Sequence, residues 1–204
     1  MSALHFDEPS HTYTYVDDDG NERVLPSVTQ VISPIVDYSM VPEARLAFAR
    51  DRGGAVHLAC HLDDGGTLDE ASVDEEHVLP YLKAWRLFRE QHEAEVVVSE
   101  RPMHYKAMWA GTPDRYLRVK RGRARRFAVV DIKTVVAMTP AIGVQLTGYD
   151  LLIKEALTTC PDELLGVQLL RDGTYRVHAY EREIPTFLSL VSLHNWRVRH
   201  GSLK

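Results

Sequence analysis

The stretch that decides how this chain folds runs from Gly111 to Tyr149 and contains three motifs: Gly-Thr-Pro-Asp (111–114), Val-Val-Asp-Ile-Lys-Thr (129–134) and Gln-Leu-Thr-Gly-Tyr (145–149). The first two lie in runs rich in β-forming residues, and the third lies in a segment whose apolar residues have helical spacing. Side chains two residues apart on a strand share a face, so Asp131 and Lys133 point the same way. The order predicts an α/β fold with two carboxylates and a lysine at strand ends.

The polar residues of these motifs are suited to one kind of chemistry. Asp114 and Asp131 offer the hard oxygen ligands that Mg²⁺ or Mn²⁺ prefers. The ammonium of Lys133 can orient water or offset charge on a phosphate. A carboxylate and a lysine near the end of a core strand are costly to bury unless they are paired or bound to metal. The motifs therefore predict metal-dependent hydrolysis of a phosphodiester, and a structural Asp131–Lys133 salt bridge is the alternative.

The third motif places two polar side chains on one helix. Gln145 and Tyr149 are four residues apart, so they share a face of the predicted helix that Pro140 opens. We expect Gln145 to lie near the two acids. Core packing is the alternative for both residues, and for Tyr149 in particular.

Five motifs in this order resemble the core of the PD-(D/E)XK nuclease superfamily, in its RecB-like and phage-exonuclease branch. The matching positions are Asp114 for the first acid, Asp131 and Lys133 for the second acid and the lysine, and Gln145 with Tyr149 for the trailing motif. Upstream, 52–57 (Arg-Gly-Gly-Ala-Val-His) resembles the Arg-Gly-x-x-x-His helix of that branch, and 25–32 resembles its Pro-Ser-Val-Thr segment. The resemblance covers roughly residues 11 to 180.

The resemblance implies a fold and an activity. The expected fold is a single restriction-endonuclease-like domain, with a central mixed β-sheet flanked by helices. The expected activity is a divalent-metal-dependent DNA nuclease, an exonuclease that acts on DNA ends in recombination, repair or replication. Two alternatives stay open: a structure- or sequence-specific endonuclease, and a catalytically inactive nuclease-like module that binds nucleic acid or a partner. In the family, the trailing Gln and Tyr reach the DNA or the lysine, which makes Gln145 and Tyr149 candidate catalytic residues.

The resemblance also implies a metal site for Mg²⁺ or Mn²⁺. Its expected ligands are His57, Asp114, Asp131 and the carbonyl of Ile132, and Glu100, on the preceding strand, is a candidate third carboxylate. A competing hypothesis is a zinc site, because the helical spacing of His57, Cys60 and His61 could grip Zn²⁺. No iron–sulfur cluster is expected, since Cys60 and Cys160 are the two cysteines of the chain and such clusters need four.

Length and composition bound the class of protein. A chain of 204 residues is long enough for one well-buried domain, and its composition, with 45% hydrophobic and 26% charged residues, is ordinary for a globular protein. Two cysteines, with no signal peptide and no membrane-spanning run, favour a cytoplasmic location. The expected partner is DNA. The resemblance leaves open a phage-encoded protein in a host cytoplasm, a single-strand annealing or other recombination partner, and a homo-oligomer.

Charge is unevenly distributed in this acidic chain, whose net charge is −5. A basic run lies between the two strands of the motifs: Arg118, Lys120, Arg121, Arg123, Arg125 and Arg126. We expect a hairpin tip near the site, whose arginines contact DNA phosphates, and a solvated turn is the alternative. The acidic stretch over 63–76 is expected to be a solvated loop.

The order of elements predicts one domain, 1–204, with four parts. Residues 1–40 hold an N-terminal hairpin and a short helix over 27–33, with Ser27 as its N-cap, after a loose start over 1–10, and 41–94 form a helical part. Residues 95–180 supply the catalytic sheet and its helix, and 181–204 supply a C-terminal helix over about 184–199. The strands of the sheet are expected in β-like runs over 95–104, 108–119, 126–134, 163–170 and 175–180. Within the helical part, we expect helices over 42–62, interrupted at Gly53-Gly54, and over 74–93.

Overall fold

A computed structural model describes residues 3–201 and arranges them as ten strands and five α-helices. The strands are β1 (Ala3–Asp7), β2 (Thr12–Val16), β3 (Glu22–Leu25), β4 (Glu95–Ser99), β5 (Met103–Tyr105), β6 (Trp109–Gly111), β7 (Arg115–Arg121), β8 (Ala124–Lys133), β9 (Glu163–Leu169) and β10 (Tyr175–Tyr180). The helices are α1 (Val28–Ile32), α2 (Glu43–Asp64), α3 (Leu79–Gln91), α4 (Pro140–Leu157) and α5 (Ile184–Arg199).

The central element is a mixed five-stranded sheet in the order β10-β9-β8-β7-β4. Strands β8 and β9 run parallel and are joined through α4, while the other neighbouring pairs are antiparallel. Residues Ala128 to Ile132 of β8 are all buried, as expected for a central strand covered on both faces. The expected α/β fold, a mixed sheet flanked by helices in a single domain, is confirmed.

Two hydrophobic clusters cover the two faces of this sheet. One joins Val129 of β8 to residues of α1, α4 and α5, and the other joins Val130 and Ile132 to residues of α2 and α3. Because strand side chains alternate, Asp131 and Lys133 share the face of Val129. Helix α4 is buried over most of its length because it lies between this face and the other helices.

A smaller sheet, in the order β1-β2-β3, precedes the main domain core and leads into α1. Ser27 caps α1: its Oγ accepts from the N–H of Gln30 at 3.0 Å, and Gln30 Oε1 accepts from the N–H of Ser27 at 2.9 Å. This reciprocal pair is a capping box, so the predicted N-cap is confirmed. The predicted loose start is wrong, since Ala3–Asp7 pairs with β2; residues 1 and 2 lie outside the described part.

Three further boundaries differ from the expected ones. Helix α2 continues through Gly53-Gly54 without interruption, and α3 begins at Leu79 because Asp74 Oδ1 instead accepts two backbone N–H groups of a turn over 74–77. The run over 95–104 divides into β4 and β5 at Glu100, whose φ is +46°. Helix α5 has the predicted bounds Ile184–Arg199, and residues 202–204 of the predicted C-terminal part lie outside the described residues.

Candidate active site

Asp131 and Lys133 lie at the carboxyl end of β8, in the middle of the central sheet. Lys133 Nζ lies 2.8 Å from Asp131 Oδ1 and 2.7 Å from Oδ2. Asp131 is fully buried, whereas 23% of the Lys133 side chain is exposed. The carboxylate and the ammonium therefore meet on one face of the strand, and the Lys133 side chain is only partly buried.

Asp114 reaches the same place from the residue before β7. Its Oδ2 accepts a hydrogen bond of 2.7 Å from the backbone N–H of Ile132, which lies between Asp131 and Lys133. The antiparallel pairing of β7 with β8 sets this contact, because Arg115 is in register with Val130. The structure thus brings together the two acids and the lysine of two separate motifs.

His57 and Glu100 complete the cluster from other elements. His57 Nδ1 lies 3.5 Å from Asp114 Oδ1 and 3.6 Å from Glu100 Oε1. Its Nε2 donates to the carbonyl of Ile132 at 2.9 Å, since a carbonyl oxygen only accepts. That bond leaves Nδ1 as the free lone pair of the neutral ring, directed to the two carboxylates. Helix α2 is held here by Arg52, whose Nη2 donates to the carbonyl of Thr134 at 2.8 Å.

These residues fit a divalent cation. One ligand atom each from His57, Glu100 and Asp114 lies within 4.8 Å of the others. Asp131 stands outside this group of three and contacts Lys133, but its buried Oδ2 accepts no hydrogen bond of good geometry. A cluster of carboxylate oxygens and one imidazole, beside a buried carboxylate oxygen that accepts no well-aligned hydrogen bond, can hold a divalent cation.

The electrostatics of the cluster are shifted by burial and by mutual contact. Burial raises the pKa of Asp131 to about 6, with Lys133 opposing that rise and Asp114 adding to it. Burial lowers the pKa of Lys133, but Asp131 and Asp114 outweigh it, and the pKa is raised. Burial also opposes the charged form of His57, yet Asp114 and Glu100 raise its pKa above the ordinary value. Asp131 therefore resists ionisation in this buried position, whereas the charged forms of Lys133 and His57 are favoured by the nearby carboxylates.

Gln145 and Tyr149 share a buried face of α4, as predicted. Gln145 Nε2 donates to Tyr149 Oη at 3.1 Å. Burial raises the pKa of Tyr149 well above its ordinary value, and the charges of Asp114 and Asp131 add to the rise, so the phenol lies near both acids. Tyr149 also belongs to the hydrophobic cluster of α1, α4 and α5. Its position therefore combines core packing with proximity to the acids.

The basic run forms the predicted hairpin, but its expected nearness to the site is wrong. The tip lies where Arg121 pairs with Ala124, six residues along the strand from the Arg115–Val130 pair at the site, which corresponds to about 20 Å. An antiparallel hairpin places its tip farthest from the open ends of its strands. Five of the six cations make ion pairs: Arg118 with Glu95, Lys120 with Glu93, Arg121 with Glu163, Arg125 with Glu93 and Glu95, and Arg126 with Asp162.

The three residues of the competing zinc site do not converge. Cys60 is fully buried in the cluster of α2 and α3, and burial raises the pKa of its thiol. His61 Nδ1 lies 2.6 Å from Ser99 Oγ, while His57 faces Asp114 and Glu100. Among residues 3–201, the group of potential ligands that does converge contains neither Cys60 nor His61. The geometry favours a carboxylate-rich site over a zinc site.

Two residues that the sequence did not single out also adjoin the site. Arg115, directly after Asp114, is fully buried, and its Nη1 donates to Glu100 Oε1 at 3.0 Å. Gln168, in register with Lys133 on β9, donates through Nε2 to the carbonyls of Val135 and Val136 at 2.9 and 3.0 Å. The sequence feature that could have identified both residues is a charged or amide side chain within a predicted strand, because such a side chain is costly to bury without a hydrogen-bond partner.

Comparison with known proteins identifies no relative: no protein-family model matches the chain, and no curated protein matches it. None of the helices within 3–201 has the length and apolar character needed to cross a membrane. The function is therefore inferred from the cluster itself.

Proposed function

We propose that this chain is a divalent-metal-dependent DNA nuclease of the PD-(D/E)XK kind, most specifically an exonuclease that acts on DNA ends. The observation that carries the proposal is the convergence of His57, Glu100 and Asp114 beside the Asp131–Lys133 pair, at the end of the central strand. These residues come from four elements or connections far apart in sequence, and their chemistry is the one that phosphodiester hydrolysis requires. The preference for DNA ends rests on the sequence resemblance alone.

Each residue has a definite role in this proposal. His57, Glu100 and Asp114 hold the cation, with Asp131 and the Ile132 carbonyl beside them. The bound Mg²⁺ or Mn²⁺ supplies Lewis-acid stabilisation of the phosphate and lowers the pKa of water.

Lys133 supplies a partly exposed ammonium side chain at the end of the strand. It orients the attacking water and offsets the negative charge that develops on the phosphate. Asp131 holds Lys133 in position through contacts of 2.7 and 2.8 Å and raises its pKa, so the ammonium stays charged near neutral pH.

The test uses linear duplex DNA with Mg²⁺, Mn²⁺ or EDTA, and the release of acid-soluble nucleotides is measured. Asp114→Asn and Lys133→Met should abolish release while circular dichroism shows a folded chain. Lys154→Met is the matched control, since it removes a lysine from another buried aspartate, Asp150, and should leave release unchanged. Metal-dependent release by Lys133→Met at the rate of the unaltered chain would remove the proposal.

Closed circular DNA separates the two modes of cleavage. An exonuclease leaves it intact, whereas an endonuclease nicks or linearises it. Retarded DNA migration without cleavage, with Mn²⁺ present, would instead show a module that binds nucleic acid and does not cut it.

A further inference from the structure

Arg115 lies directly behind the cluster and is fully buried. Its guanidinium connects two carboxylates, with Nε donating to Asp64 Oδ2 at 2.5 Å and Nη1 donating to Glu100 Oε1 at 3.0 Å. The same Nη1 donates to the backbone carbonyl of Asp114 at 2.6 Å. One rigid, permanently charged group therefore touches both Glu100 and the backbone of Asp114.

Glu100 is held in an unusual backbone conformation at this point. Its φ is +46°, in the left-handed region that residues with a Cβ rarely occupy. Its N–H donates to the Asp114 carbonyl at 3.1 Å, the same oxygen that accepts from Arg115. Strained backbone of this kind persists where the surroundings impose it, and it concentrates at functional sites.

Arg115 is not the only donor to Asp64, and one of its own donors has no acceptor among residues 3–201. Asp64 also accepts from Trp85 Nε1 at 2.9 Å and lies 2.7 Å from Arg89 Nη1, so it has other donors. Arg115 Nη2 is buried and has no acceptor within the described residues. Buried ion pairs rarely stabilise a protein more than apolar residues of similar volume. The presence of a buried arginine with an unsatisfied donor is thus better explained by its contacts with Glu100 and Asp114 than by a contribution to stability.

We propose that Arg115 is a positioning residue that fixes the Glu100 carboxylate beside Asp114 and His57 as a ligand of the divalent cation, an inference that rests on the proposed function. Arg115 itself does not contact the cation. It acts through Glu100 Oε1, the same oxygen that lies 3.6 Å from His57 Nδ1, and so fixes the oxygen that faces the site. Partners of metal ligands act in this way, by orienting the ligand.

The test is a double-mutant cycle read as Mn²⁺ affinity, measured by titration calorimetry on the whole chain after removal of metal. Arg115→Met should weaken Mn²⁺ binding by about tenfold to 100-fold, the usual range for partners of metal ligands, and Glu100→Gln, which alters the ligand itself, should weaken it at least as much. The double variant should bind no more weakly than Glu100→Gln alone, because Arg115 acts through Glu100. Additive losses, or unchanged affinity in a folded Arg115→Met chain, would overturn the inference.

A matched control removes an arginine from another buried carboxylate. Arg182 donates to Asp150 at 3.2 Å, and Arg182→Met should leave Mn²⁺ affinity unchanged. If Arg115→Met does not fold, the cycle is run with Arg115→Lys, because a single ammonium cannot reproduce the separate contacts of the guanidinium with Asp64 and Glu100. If the unaltered chain binds no Mn²⁺, the proposed function fails; if it binds and the Arg115 variants bind equally well, only the present inference fails.

Discussion

Asp131→Asn should stabilise the metal-free protein, although it removes one partner of a buried ion pair. The pKa of Asp131 is raised from 3.8 to about 6, because burial penalises its charge more than Lys133 relieves it. Each unit of pKa corresponds to about 1.4 kcal/mol, so the ionised carboxylate costs the folded state about 3 kcal/mol above pH 6. Asparagine keeps the shape and removes the charge. Lys133 keeps solvent access and the nearby charge of Asp114.

The sign of the pH dependence follows from proton counting. Between the unfolded and folded pKa values, the folded state binds more protons at Asp131, so this residue makes the protein less stable as pH rises through that interval. The gain in Asp131→Asn is therefore largest above pH 6, falls to about half at pH 5, and vanishes below the unfolded pKa. The assay is urea and thermal unfolding in EDTA at pH 8 and pH 5. A gain of about 3 kcal/mol corresponds to about 6–12 °C in a chain of this size.

The opposite sign would refute this reasoning. If Asp131–Lys133 were a structural ion pair, removing one charge would destabilise the protein, by about 3–5 kcal/mol in the most buried cases. Asp150→Asn is the matched control: Asp150 is also fully buried, and Lys154 and Arg182 both contact it. That variant should lose about 1.5–3 kcal/mol, as expected for hydrogen bonds to charged groups.

Three further predictions concern the fold and the hairpin. Gly148→Ala should destabilise the protein by about 1–3 kcal/mol, because a Cβ there would lie 2.7 Å from Phe187 Cε2; an unchanged urea midpoint would contradict this. Ser27→Ala should cost about 1 kcal/mol through loss of the capping box with Gln30, and unfolding with no such loss would count against it. Arg123→Ala should lower the salt dependence of DNA binding by about one phosphate contact and leave kcat unchanged, whereas an equal fall in kcat would contradict a role remote from the site.

Local pattern was sufficient to predict most elements of the fold. Alternation and β-branched residues identified β8 and β9, and Pro140 with apolar spacing identified α4. The capping residues around Ser27 identified the start of α1. These features depend on residues close together in sequence, and the hydrophobic clusters formed by the folded chain reinforce them.

The parts of the site that the sequence did not predict depend on long-range register. Nothing near Arg115 in sequence indicates Asp64 or Glu100 as its partners, since those contacts arise when α2 packs on β7 and β4. The positive φ of Glu100 is likewise imposed by its surroundings, and its division of the run over 95–104 was not expected. The distance between the basic hairpin tip and the site could have been predicted from the sequence. Asp114 precedes β7 and Lys133 ends β8, so the antiparallel register places both residues at the end of the hairpin opposite its tip.

Under the proposed function, the charge distribution of the site requires the cation to bind before a phosphate can approach. Three carboxylates, Glu100, Asp114 and Asp131, converge around one lysine and one histidine. Like charges at such distances repel a phosphate. Burial, with the charge of Asp114 adding to it, also raises the pKa of Asp131 to about 6. Most cations of the basic hairpin are neutralised by neighbouring acids and lie at the far end of the strands. Under the proposed function, the attraction that draws a phosphate to this face comes from the cluster itself, from a bound divalent ion together with the partly exposed side chain of Lys133.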